Sequence, residues 1–380
     1  MTANPSFVLR AAEKVVFEER PIPQVGDHDV LVEIKKTGIC GSDVHFLLDG
    51  RIGDEWVVDK PMILGHESAG VINKVGKKVK NVKLGDRVAV EPGRACGVCE
   101  DCLGARIITS KLCPEMLLAA CPPFDSGTLT RYFSIPSSMV YPLAPHMTLE
   151  DGAMMEPLSV AVHAVHKLAA FRAQQSIAVF GCGPVGILCM AVAKALGSRR
   201  IVAVDILDER LTFAKSYAGA ETFKPPRAQD GDEKTEAYAR SAAALKKELG
   251  IESRGPNSID VVLDASGAEA SIYTGLLIVK TGGLFVQVGL GHPDITIPMG
   301  ILMSKEVAVL PSFRYGPGDY SVSLGLASSG KVDVKPLVSH RFKFEDAVNA
   351  FEVARKGHSE DGKSTMKVII SGPGVAIDDV

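Results

Sequence analysis

Tryptophan occurs once in 380 residues, and aromatic side chains make up only 6% of the chain. A sequence so poor in aromatic faces has little material for the stacking platforms that hold single-stranded nucleic acid. Excess positive charge is missing too. The 42 Lys and Arg face 45 Asp and Glu, for a formal charge of -3, which removes the electrostatic footprint of a nucleic-acid-binding chain. No apolar run approaches the ~20 residues that cross a bilayer, so no membrane partner is expected. The opening Met1-Thr2-Ala3-Asn4-Pro5 lacks the apolar core of a signal peptide, and a cytoplasmic location is the expectation. At this length one ordinary core does not suffice, and two domains are the natural arrangement.

What the chain does have is glycine, cysteine and a change of period. The N-terminal part carries short apolar runs bounded by Gly, Pro and Asp, such as Val30–Ile34, Ala69–Ile72 and Arg87–Val90, and reads as β-rich. Further on, wholly apolar runs alternate with helical patterns. Ser176–Phe180 precedes a helix over 187–196, and Ile201–Asp205 precedes another over 209–217; Ile259–Asp264 and Gly283–Gly289 continue the series. Buried strands separated by helices are the pattern of a parallel, doubly wound sheet. The polar stretch 225–257 reads as a solvated excursion with a helical middle.

Within that alternation, Gly181-Cys182-Gly183-Pro184-Val185-Gly186 fits G-x-G-x-x-G directly after a strand, and Asp205 closes the next strand 19 residues beyond Gly186. Gly181 permits the turn, Gly183 lets a pyrophosphate approach the backbone, and Gly186 allows close packing of helix on strand. The helix start offers free N–H groups to phosphate. Asp205 suits the ribose hydroxyls and repels a 2′-phosphate, so NAD is expected over NADP. A ligand-free glycine turn with Asp205 as a helix cap is the alternative.

Two cysteine-containing clusters remain. Cys40 lies in Gly38–Asp43, and His66 and Glu67 lie in Gly65–Gly76. Taken singly, Cys40 reads as a small buried hydrophobe and His66 as a loop histidine. Together, thiolate, imidazole and carboxylate suit a tetrahedral zinc ion with one position left open. Cys96, Cys99, Cys102 and Cys113 are spaced as ligands of a second, structural ion, a use of cysteine that fits a reducing compartment. Cys121, Cys182 and Cys189 read as packing residues.

Gly65–Gly76 resembles the zinc-containing alcohol dehydrogenase signature, and nearly the whole chain is similar to the medium-chain dehydrogenase/reductase superfamily. Gly38–Phe46 and Met155–Val160 look like the polyol branch. Pro5–Leu9, Asp264–Glu269 and Ser312–Tyr320 look most like its xylitol-oxidising members. The resemblance implies an α/β chain in which a Rossmann doubly wound parallel sheet, residues 158–312, is inserted in a GroES-like β-rich catalytic domain, residues 1–157 and 313–380. It implies catalytic zinc on Cys40, His66 and Glu67, with Glu156 touching the open position and the substrate, where the sequence alone reads a helix-start residue before Pro157.

Ser42 and His45 are then candidates for releasing the proton, His45 being otherwise an ordinary polar residue. Phe46, Arg314 and Tyr315 would border the substrate, with a plain salt bridge the alternative for Arg314. The cofactor would touch Gly181, Gly183, Val185, Gly186, Asp205, Arg210, Val288, Gly289, Leu290, Ser312, Phe313 and Arg314. The implied reaction is NAD-dependent oxidation of a sugar alcohol to a ketose, xylitol to D-xylulose first, with sorbitol (L-iditol) and L-arabinitol as alternatives, in a homotetramer. One departure stands out. Ten residues, 103–112, separate Cys102 from Cys113, longer than the family pattern, so the second lobe either bulges and delivers Cys113 or holds no metal. A zinc module for nucleic acid lacks the basic surface it needs, and a non-catalytic relative would have no need of Cys40, His66 and Glu156 together.

Overall fold

A computed structural model describes residues 3–103, 110–227 and 231–379. Most of the long span 103–112 between Cys102 and Cys113 therefore lies outside the described residues. The chain divides into two compact units, Met1–Glu156 with Gly316–Val380, and Pro157–Tyr315.

The first unit is built on a seven-stranded sheet. Its order runs Val140–Pro142, Arg87–Val90, Glu67–Val75, Asp29–Gly38, Lys367–Ser371, Val338–Phe342, and Tyr132–Pro136 also pairs with Asp29–Gly38. The strand Asp29–Gly38 is central because it is apolar on alternate positions. Val30, Val32 and Ile34 pack with Ile72, Val88, Val90 and Phe133 in one core. A second core gathers Phe7, Leu9, Phe46, Leu64, Phe351 and Ile370. The register at the end of the central strand sets three segments side by side, because Gly38 pairs with Glu67 on one side and with Ile369 on the other.

The second unit is a six-stranded sheet, parallel at every pairing, in the order Glu221–Phe223, Arg200–Val204, Ser176–Phe180, Ile259–Asp264, Val279–Gln287, Ala308–Pro311. The reversal of direction at Ser176–Phe180 puts a topological switch point at the carboxyl end of that strand. Every residue of Ser176–Phe180 is buried, as expected of a strand with helices on both faces. The excursion read from 225–257 needs correcting. Its helix, Lys234–Leu249, buries Ser241, Ala242 and Leu245, and Ala242 and Leu245 belong to the core of this unit with Phe180, Val262 and Phe285. The apolar stripe is narrow, and the surrounding charges conceal it in the sequence.

Candidate metal centres and nucleotide site

Cys40 closes the turn out of strand Asp29–Gly38 and caps helix Gly41–Asp49; His66 and Glu67 lie where strand Glu67–Val75 begins. Sheet pairing brings the two segments together, and one ligand atom from each of Cys40, His66 and Glu67 lies within 4.8 Å of the others. Asp43 organises the cluster. Its Oδ2 accepts from the Cys40 N–H at 3.2 Å, and its Oδ1 accepts from the Gly65 N–H at 2.9 Å. Oδ1 also lies 3.4 Å from His66 Nδ1, which is buried with no hydrogen-bond partner among the described residues. Burial works against a charge on this imidazole, but the Asp43 carboxylate and Cys40 outweigh it and hold its pKa well above the usual histidine value. An orphaned buried nitrogen beside a thiol and a carboxylate is a donor set that fits zinc.

Lys367 completes the surroundings of Glu67. Its Nζ donates to Glu67 Oε1 at 2.8 Å and Oε2 at 2.6 Å, and to the Ile39 carbonyl at 3.1 Å. Burial opposes the ammonium charge, yet Glu67 and Cys40 raise its pKa above the ordinary lysine value. Sequence reading misses both Asp43 and Lys367. Asp43 is detectable as the acidic third residue of a helix; Lys367 lies 300 residues from Glu67 and gives no local signal.

The other expected catalytic-side residues fall at different depths. Glu156 is buried in the first turn of Met155–Val162, and its charge bears on Lys367 and on Tyr320. Ser42 is partly buried, whereas His45 is exposed and lies 3.4 Å from Asp49. Phe46 is packed in the core with Phe7 and Phe351, only 2% exposed, so its ring lies inside the fold.

In the second cluster the four sulfurs of Cys96, Cys99, Cys102 and Cys113 also lie within 4.8 Å of one another. Cys96 and Cys102 Sγ are 3.9 Å apart, and Cys99 and Cys102 Sγ 3.5 Å. Zn–S bonds of ~2.3 Å in a tetrahedron require S···S edges of about 3.8 Å, so the group fits one ion. Backbone N–H groups of Val98 and Cys99 point at Cys96 Sγ and lower its pKa to about 7. The longer span after Cys102 thus still delivers Cys113. Cys121, Cys182 and Cys189 are buried.

The glycine fingerprint sits at the switch point. Gly181 has φ +88°, a conformation that side chains resist. A Cβ on Gly186 would lie 1.8 Å from the Gly181 carbonyl, whereas one on Gly183 would meet nothing nearer than Arg210 Nη1 at 3.9 Å. Gly183 therefore keeps a space open at the start of helix Pro184–Ala195, whose first N–H groups no side chain caps. Arg210 Nε is buried beside that helix start with no hydrogen-bond partner among the described residues. Asp205 is held rigid, Oδ2 accepting from the Cys182 N–H at 2.7 Å and Oδ1 from the Leu207 N–H at 2.9 Å. These residues fit a dinucleotide.

At the carboxyl ends of the next strands, the Val288 and Gly289 N–H groups both donate to the Asp264 carbonyl, and Leu290 is exposed. Ser312 Oγ is buried with no hydrogen-bond partner among the described residues. Arg314 stacks its guanidinium 4.6 Å from the Phe313 ring centroid with φ +52°, and Tyr315 is buried.

A parallel nucleotide-type sheet together with a thiolate–imidazole–carboxylate centre defines a zinc-binding dehydrogenase, and the chain belongs to that family. Residues 26–145 match the alcohol dehydrogenase GroES-like domain and residues 184–329 match the zinc-binding dehydrogenase domain. The chain is 47% identical over 372 residues, 97% of each chain, to a protein from Aspergillus fumigatus named probable D-xylulose reductase A. It is 47% identical over 370 residues, again 97% of each, to D-xylulose reductase A of Aspergillus niger. Among solved structures, L-idonate 5-dehydrogenase from Escherichia coli superposes with a TM-score of 0.82 at 28% identity, covering 97% of this chain and 98% of that one. The 2R,3R-butanediol dehydrogenase of Bacillus subtilis gives 0.81 at 26%, covering 97% and 99%.

Proposed function

We propose that this chain oxidises a sugar alcohol to a ketose with NAD and zinc, xylitol to D-xylulose being the preferred reaction. The observation that carries the reading is the convergence of Cys40, His66 and Glu67 within 4.8 Å in a chain so similar to the fungal D-xylulose reductases. Zinc held by Cys40, His66 and Glu67 would supply Lewis acidity at the carbinol oxygen, and NAD held at Gly183, Asp205 and Arg210 would supply the hydride acceptor.

The chain's own residues supply the rest. Asp43 fixes the backbone that carries Cys40 and His66. Glu156 gives a buried carboxylate for the substrate hydroxyls, and Ser42 and His45 offer a path for the proton. Asp205 presents the ribose acceptor and repels a 2′-phosphate, and Arg210, Gly183 and the helix start receive the phosphates. Val288, Gly289, Leu290, Ser312, Phe313 and Arg314 form the remaining cofactor wall, with Arg314 and Tyr315 reading the polyol. Cys96, Cys99, Cys102 and Cys113 hold a second zinc of purely structural use.

We also propose a cytoplasmic enzyme, which suits free cysteines arranged as metal ligands. Among the described residues no helix is long and apolar enough to cross a membrane. The homotetramer reading is supported by the uncovered edge strand Ala308–Pro311. Near it, exposed Met299, Met303 and Val309 border a cavity of about 900 Å³, a surface suited to a second copy. Light scattering of the purified protein tests it, and a monomer would contradict it.

The test of function is NADH absorbance with xylitol, sorbitol and L-arabinitol under one set of conditions. Xylitol should give the highest kcat/KM and sorbitol a lower, measurable one, because pockets separate near-homologues by only ~1–3 kcal/mol. L-arabinitol as the clear best substrate would overturn the xylitol assignment.

A further inference from the structure

We propose that Lys367 is a positioning residue for the Cys40–His66–Glu67 centre, holding the Glu67 carboxylate and the backbone entering Cys40 in one register. The inference rests on the reading of that centre as a metal site. Lys367 opens the last strand of the first unit's sheet and is 4% exposed; Glu67 is 1% exposed. Between their strands runs Asp29–Gly38. The two side chains meet over Gly38, which pairs with Glu67 in the ladder.

Room for that meeting exists only because residue 38 has no side chain. A Cβ there would stand 2.3 Å from Glu67 Oε2 and 3.3 Å from Glu67 Cβ. Both carboxylate oxygens take a hydrogen bond from the one ammonium, while its remaining donor reaches the Ile39 carbonyl, one residue before Cys40. Ile39 is tied to the same strand a second time, its N–H donating to the Val368 carbonyl at 3.0 Å. One buried cation therefore couples two of the three ligand-bearing positions.

A bare structural role does not call for this arrangement, since a buried ion pair contributes little net stability over apolar residues of the same size. The geometry has two consequences. The carboxylate cannot rotate freely, so the donor set is pre-organised before any ion enters. The centre also carries one more fixed positive charge than its ligands supply, which favours loss of the proton from the substrate hydroxyl.

The test uses the full-length protein loaded with cobalt(II) in place of zinc, and three variants, Lys367→Met, Lys367→Arg and Gly38→Ala. In Lys367→Met the visible cobalt bands should shift in position and intensity, and the acid limb of the kcat/KM–pH profile should move upward by roughly one unit or more. Lys367→Arg should restore the pH profile. Gly38→Ala, which displaces the carboxylate without altering any charge, should shift the bands with a smaller change in pH profile, and it keeps the test alive if Lys367→Met does not fold. Unchanged cobalt bands and pH profiles in Lys367→Met and Gly38→Ala, with only a lower melting temperature, would overturn the proposal. A wild-type protein that takes up no cobalt at this centre or lacks dehydrogenase activity would instead refute the functional reading beneath it.

Discussion

Replacing Asp205 by alanine looks from sequence like a simple switch of cofactor preference, but the structure predicts a more costly outcome. The carboxylate holds two backbone N–H groups, of Cys182 and Leu207, at 2.7 and 2.9 Å, and the residue is 8% exposed. Cys182 stands inside the glycine turn and Leu207 caps helix Asp208–Ala218, so the side chain pins the turn to the helix that carries Arg210. Alanine leaves both donors unpaired. At about 1–3 kcal/mol each, the loss is about 2–6 kcal/mol, concentrated in the unit Pro157–Tyr315. For a unit of that size the smallest loss in this range lowers the melting temperature by about 4 °C. The same turn must receive NAD, so NAD efficiency should fall by roughly 5- to 150-fold if half the loss, about 1–3 kcal/mol, is felt at the site. The preference for NAD over NADP should narrow through this loss, with no absolute gain for NADP. Differential scanning fluorimetry and kcat/KM for both cofactors test it. A variant that melts within a degree of wild type while gaining NADP activity outright would refute the argument that Asp205 builds the turn as well as reading the ribose.

Cys40→Ser or His66→Ala should lower kcat/KM by about a thousandfold or more, because a Lewis acid contributes several kcal/mol. NADH affinity, measured by fluorescence titration, should stay within a few-fold of wild type, since the fingerprint lies in the other unit; a matching loss of NADH binding would count against the assignment. Elemental analysis should find two zinc ions per chain, and Cys113→Ser should retain one and melt lower by about 4 °C or more with turnover nearly intact. Burial raises the Glu91 pKa to about 7, although the Tyr141 hydroxyl donates to Oε2 at 2.6 Å and lowers it. The folded value lies above the ordinary glutamate value of 4.5, so its contribution to stability is complete below pH ~4.5 and is lost as pH rises through ~7, about 3 kcal/mol in all. Glu91→Gln should therefore lose less melting temperature than wild type between pH 4.5 and 7.5, and parallel curves would show that Glu91 is not the group responsible.

The alternation of strand and helix is legible because a parallel sheet buries whole strands. Ser176–Phe180 and Ile259–Asp264 match the apolar runs read from sequence to the residue. The glycine fingerprint is legible because its geometry is local: positive φ at Gly181, a blocked Cβ at Gly186 and an open space at Gly183 are demands on a few consecutive residues. Helix Lys234–Leu249 is legible as a helix, but its packing escapes a sequence reading because three buried positions in sixteen are too sparse a stripe to stand out among lysines and glutamates. Likeness alone assigns Phe46 to the substrate's border, and the structure buries its ring in an aromatic core.

Lys367 marks a different limit. Nothing near it in sequence distinguishes it from the other lysines, which mostly lie on the surface. Its burial becomes compatible with its charge only when the sheet sets the last strand, Asp29–Gly38 and Glu67–Val75 side by side, with a glycine between cation and carboxylate. Ligand types can be recognised from chemistry and spacing. The groups that aim the ligands come from whatever strand the topology places next to them, so their identity depends on long-range pairing that local pattern cannot express.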